Sequence, residues 1–126
     1  MKTHNLKPFY IISAHQPDRD NNVTAHCLEQ DLAALELPSI EATGVYKGEP
    51  ESSRIVFSDD EIKAKFLRDE YKQECYLYVH NDRTAELVYP DGTRKSLVGT
   101  FRLISPDFIG QHQNYTKVRE AFYAVY

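Results

Sequence analysis

The segment TGVYKGEPESSRIVF, Thr43 to Phe57, puts a tyrosine, two glutamates and a proline within a few residues of one another. Tyr46 ends an apolar run, Glu49 and Glu51 flank Pro50, and a second apolar run follows Arg54. Read as strand, loop and strand, this connection is long. A tight hairpin would use two residues such as Asn-Gly. The chemistry open to it is that of a ligand platform beside a carboxylate. The plainer readings are a packing tyrosine and a solvated loop acid. With nine tyrosines in the chain, no single one stands out.

Other chemistries find no pattern. Histidines at 4, 15, 26, 80 and 112 show no HxxxH or HxH spacing, and no CxxC occurs, so no zinc site is expected. The five glycines form neither GxGxxG nor GxxxxGK, and no GxSxG is present.

At 126 residues, 41% hydrophobic and 27% charged, the chain reads as one soluble domain over residues 1–126 with a small core. A net charge of −4 argues against a nucleic-acid-binding face and is too weak for a DNA mimic. No apolar run approaches the roughly 20 residues of a membrane span. The N-terminal MKTHNLKPFYIIS is too polar for a secretory signal, so a cytoplasmic location is expected. Cys27 and Cys75 read as reduced and buried.

The elements that would hold the loop follow from periodicity. Pro8 to Ala14 reads as a buried strand. Val23, Cys27, Leu28, Leu32 and Leu35 share one face of a helix that Asn21 or Asn22 caps and Pro38 ends. Ser39 to Tyr46 is a strand in which Gly44 marks a bulge or a close backbone approach. Ser53 to Phe57 is the next strand. Ser58 to Glu61 reads as a capping box opening a helix with an Ile62, Phe66, Leu67, Tyr71 stripe. Cys75 to His80 and Thr84 to Tyr89 are strands, Tyr89 to Gly92 is a turn, and Ser96 to Ile104 closes a hairpin. The last dozen residues are compatible with a helix carrying Val118, Phe122 and Val125.

This order is the split βαβ pattern of an α+β, ferredoxin-like βαββαβ sandwich with an added β-hairpin. Both helices would cover one sheet face. Tyr76 and Tyr78 alternate with Leu77 and Val79, so the fourth strand is apolar on both sides and an oligomer is expected.

Taken together, several segments resemble the bacteriophage S-adenosylmethionine lyases, formerly called SAM hydrolases. Phe9 to Ala14 resembles the family's FYxxxSA run, and Asn22 to His26 its N-x-S-x-H segment. Thr43 to Tyr46 is similar to T-G-x-Y, and Glu70 to Tyr78 to its E-W-E-Q-D-C-x-L passage. Thr84 to Tyr89 resembles TAxLVY and Leu97 to Phe101 resembles L-x-G-S-F. The likeness runs in order over about residues 9–104. That leaves a core of about 8–104 and a C-terminal extension, 105–126, without a counterpart.

The resemblance implies a PII-like homotrimer with active sites between subunits. It implies S-adenosylmethionine as substrate, cleaved without metal or cofactor to 5′-methylthioadenosine and homoserine lactone, and a phage counter-defence role. By position, Tyr46 matches the adenine-stacking tyrosine and Glu51 the essential glutamate. Glu49 is the competing acid, because some members carry adjacent glutamates. Ser13 and Ala14 match the end of the first strand, where backbone contacts to substrate are expected. His26 matches without a role. Alternatives are direct hydrolysis to homoserine, a non-catalytic adenine-nucleotide sensor, and a protein that blocks a host enzyme by binding it.

Overall fold

The computed structural model describes residues 7–126, so His4 lies outside the described residues. Its elements are β1 (Phe9–Ser13), α1 (Asn21–Ala34), β2 (Ser39–Tyr46), β3 (Glu49–Val56), α2 (Glu61–Glu70), β4 (Tyr76–Val79) and β5 (Ala85–Val88). β6 (Arg94–Ser96), β7 (Phe101–Ile104), a 3-10 turn (Pro106–Gln111), β8 (Tyr115–Val118) and β9 (Ala121–Val125) follow. Among the described residues the strands form one antiparallel sheet in the order β6-β5-β4-β1-β3-β2-β8-β9-β7. The fold is α+β.

Both helices cover one face. Tyr10, Ile12, Leu28, Leu32, Val56 and Leu67 are buried there, and each of the five aliphatic burials contributes roughly 1.5–3 kcal/mol. The Tyr71 hydroxyl donates to Asp31 Oδ2 at 2.5 Å and ties the helices together. Several local expectations need correction. Asp20, not Asn21 or Asn22, caps α1, accepting from the backbone N–H of Asn22 and Val23. Asp60 caps α2 in the same way, while Ser58 Oγ accepts from Asp60 N–H, so the expected capping box does not form. The buried face of α2 runs through Ala64, Leu67, Arg68 and Tyr71, leaving Ile62 and Phe66 exposed. Ala64 has the small side chain that lets the helix lie close to the sheet. On α1, Thr24, Leu28 and Leu32 are buried and Val23 is exposed. Cys27 and Cys75 are free and half-buried.

The C-terminal segment is not a helix. Val118 and Ala121 pair across a two-residue turn in which Arg119 takes φ +56°. This β8–β9 hairpin extends the sheet beyond β2. Likewise, Ser96 to Ile104 is not one strand: β6 pairs with β5 and β7 with β9.

The added strands curl the sheet. Phe101 N–H donates to the Arg83 carbonyl at 2.8 Å, bringing the β7 end of the sheet back to the β4–β5 turn. Phe9 packs edge-on against Phe101 at 5.4 Å. Gly99, at φ +104°, lies against Tyr126, where an added Cβ would sit 2.2 Å from the carbonyl carbon. Phe9, Ile11, Ile55 and Val79 on the second face are therefore covered by Leu97, Phe101, Val118 and Val125 of the same chain. Both apolar faces of β4 are covered within the chain, which removes that reason for expecting a partner subunit.

Candidate active site

The long acidic loop read from the sequence is a tight hairpin with its acids in a strand. Lys47 and Gly48 form the turn, with φ +52° and +83°, and Tyr46 pairs directly with Glu49. Successive positive φ values are those of a type I′ turn, for which glycine is suited at the second position. Pro50 is tolerated because β3 pairs with β1 only from Ser53 onward, so its missing N–H leaves no ladder bond unmade.

Strand alternation then sets the site. Glu49, Glu51, Ser53 and Ile55 point to the second face, with Glu51 and Ser53 inside the curl. The register puts Gly44 opposite Glu51 and Ser13 opposite Ser53. Gly44 is the predicted close approach without a bulge: a Cβ there would lie 2.9 Å from Ser53 Oγ. On its other side Gly44 pairs with Thr116 of β8.

Inside the curl is a cavity of about 680 Å³. That falls within the size of small-molecule sites, roughly 300–1,000 Å³. Its polar end is formed by Ser13, His15, Glu51, Ser53, Glu74 and Cys75. Its apolar wall includes Leu77, Leu87, Leu97, Phe101 and Tyr123, the last two rings stacked at 5.4 Å. Tyr46 also faces it.

Glu51 is half-buried, and this desolvation raises its pKa above the ordinary 4.5. His15 and the Ser13 hydroxyl oppose the rise, and Glu74 adds to it. Ser13 Oγ donates to the Ser52 carbonyl at 3.0 Å and accepts from His15 N–H at 2.9 Å, which shapes the bend after β1. Gln73 Nε2 donates to the His15 carbonyl at 2.7 Å, joining that bend to the end of α2. There Lys72, at φ +52°, closes the helix with Gln73 N–H bonded to the Arg68 carbonyl and Lys72 N–H to the Asp69 carbonyl. This Schellman exit delivers Glu74 and Cys75 to the cavity wall.

The Tyr46 hydroxyl donates to Glu74 Oε2 at 3.2 Å. Burial, then the neighbouring Cys75 and Glu74, hold Tyr46 well above the usual tyrosine pKa, so it stays a neutral donor. Burial, with help from Glu74, pushes the Cys75 thiol up to about 11. It is therefore protonated at neutral pH, away from the reactive thiolate form.

Of the residues singled out by sequence, the structure brings Ser13, Tyr46 and Glu51 to one cavity. Glu49 is exposed at the hairpin end and does not line it. The Ala14 side chain is buried in the helix-side core. His26 lies on the exposed surface of α1, 3.9 Å from Glu29. His15, Gln73, Glu74 and Cys75 were not singled out as site residues. The visible signal was their place at a strand exit and a helix exit, which is where loops carry polar groups to a site.

The chain is thus a small α+β fold with a half-buried carboxylate, Glu51, and a second carboxylate, Glu74, in the wall of a single cavity. The chain belongs to the S-adenosylmethionine lyase family, whose model matches residues 11–126. The match takes in the C-terminal strands that had no counterpart in the sequence reading. No curated protein matched the chain. Family membership makes it a lyase acting on S-adenosylmethionine.

Proposed function

We propose that the chain cleaves S-adenosylmethionine to 5′-methylthioadenosine and homoserine lactone in the cavity inside the curl. Glu51 holds the substrate ammonium, and Tyr46 carries the adenine. The observation that carries this reading is the half-buried Glu51, its pKa raised by desolvation, in a cavity it shares with Tyr46.

The chemistry needs little else. A substrate carboxylate oxygen forms a bond to Cγ as the Cγ–S bond breaks and its electron pair goes to sulfur. The sulfonium becomes a neutral thioether, the carboxylate becomes an ester, and the ammonium keeps its charge. Charge balances without any proton transfer, so Glu51 is needed as an anion rather than as a base. Its work is to fold the methionine chain so that carboxylate and Cγ meet. The partly apolar wall strips water from the attacking oxygen.

Further parts of the proposal are one catalytic domain across the described residues and a ferredoxin-like core. The β4-β1-β3-β2 order with two helices on one face supports that core. A PII-like homotrimer, in which this cavity would open at a subunit boundary, rests on the family resemblance. The biological consequence is removal of a host cofactor used by restriction and methylation enzymes. No helix of the described residues is long and apolar enough to cross a membrane. A triphosphate sensor is disfavoured by the two acids, Glu51 and Glu74, in the cavity wall.

Purified protein incubated with S-adenosylmethionine should yield methylthioadenosine and homoserine lactone by chromatography. If homoserine precedes lactone, direct hydrolysis replaces this reading. If no methylthioadenosine forms, the reading fails altogether.

A further inference from the structure

The ligand proposed for the cavity carries two positive charges, the ammonium and the sulfonium, and Glu51 answers only the first. Glu74 is the second carboxylate in the cavity wall. It is fixed from two sides: Tyr46 Oη donates to it at 3.2 Å, and Lys47 Nζ lies 3.7 Å away. Tyr46 stands two residues along β2 from Gly44, the partner of Glu51. A substrate with its adenine on Tyr46 and its ammonium at Glu51 carries its sulfur between them, in the cavity whose wall holds Glu74.

Resting on that reading of the site, we propose that Glu74 recognises the sulfonium charge and thereby selects S-adenosylmethionine over neutral thioethers of the same shape. Glu74 adds to the raised pKa of Glu51, in keeping with its place at the same polar end of the cavity. The role has an unusual kinetic signature. The sulfonium charge disappears as the Cγ–S bond breaks, so a carboxylate beside it stabilises the ground state more than the transition state. Such an interaction tightens binding without raising kcat. Lys47, on the outer side of Glu74, tempers the same charge.

Glu74→Gln keeps an amide oxygen to accept from Tyr46 Oη and removes only the charge. The test measures kcat and KM for S-adenosylmethionine, and the inhibition constant of S-adenosylhomocysteine, its neutral thioether analogue. Because the Glu74 side chain is 55% exposed, solvent weakens the effect, and KM should rise roughly 3- to 10-fold. The kcat should hold or rise, and the inhibition constant should stay put. Glu51→Gln should instead weaken both ligands, since both carry the ammonium. A fall in kcat at unchanged KM, or equal weakening of both ligands by Glu74→Gln, overturns the inference. If the wild type consumes S-adenosylmethionine and Glu74→Gln matches it in every constant, this inference alone fails. If the wild type consumes none, the reading beneath it fails.

Discussion

Glu51→Gln changes one oxygen for a nitrogen and removes one charge, so shape is kept and electrostatics are lost. Truncating one partner of a buried charge pair costs 2–5 kcal/mol or more; Glu51 is only half-buried, so about 2–4 kcal/mol is appropriate, or roughly 30- to 1,000-fold in kcat/KM. Steady-state kinetics of methylthioadenosine release read this directly. Glu49→Gln is the control. Its carboxylate is exposed and off the cavity, and it should leave kcat/KM where it was. Stability should move the other way. The folded pKa of Glu51 is raised above 4.5 by desolvation. Its contribution to stability is therefore fully present below 4.5 and is lost as pH rises through the raised value. At neutral pH the ionised side chain is a liability that glutamine removes. Tm of Glu51→Gln should match or exceed that of the wild type at neutral pH, and the difference should close as pH falls toward 4.5. Wild-type activity should decline on acidification through the same raised pKa, because the protonated acid cannot hold an ammonium. An active Glu51→Gln variant, or one that loses Tm at neutral pH, would refute this reasoning.

Other substitutions probe the frame. Tyr46→Phe loses one partly exposed hydrogen bond and should raise KM a few-fold, about 0.5–1 kcal/mol. Tyr46→Ala loses the stacking face and should cost about 1–3 kcal/mol in kcat/KM. Gly44→Ala forces a Cβ to within 2.9 Å of Ser53 Oγ beside Glu51. Thermal melts should show about 1–3 kcal/mol of destabilisation, with activity reduced in the surviving protein. Asp60→Ala strands two backbone donors at the start of α2 and should cost about 1 kcal/mol in denaturant titration without touching kcat.

Much of the frame is legible because it is local. The apolar runs at β1, β4 and β5 and the amphipathic helices announce themselves through periodicity, and Pro90–Gly92 through turn chemistry. What hid the rest was also physical. Pro50 and the acids read as loop, since nothing local shows that β3 lacks a second neighbour there. The β8–β9 turn uses Arg119 at positive φ instead of glycine or asparagine, so a hairpin could pass for a helix. Val118, Phe122 and Val125 also fit helical spacing. The curl is set by long-range pairing of β2 with β8 and β7 with β9, which no short window contains. The exit of α2 is what places Glu74 and Cys75 beside Tyr46. They became visible as site residues only once the α2 exit was placed. Ser13, Tyr46 and Glu51 were singled out through the family resemblance, and of the two acids on that face Glu51 lines the cavity while Glu49 sits exposed at the hairpin end.

The most direct measurement is turnover in heavy-oxygen water with the position of the label read by mass spectrometry. Attack by the substrate's own carboxylate gives lactone without label, and any homoserine formed later carries it in the carboxyl group. Label in the γ-hydroxyl of homoserine would mean that water, not the carboxylate, displaces the sulfur.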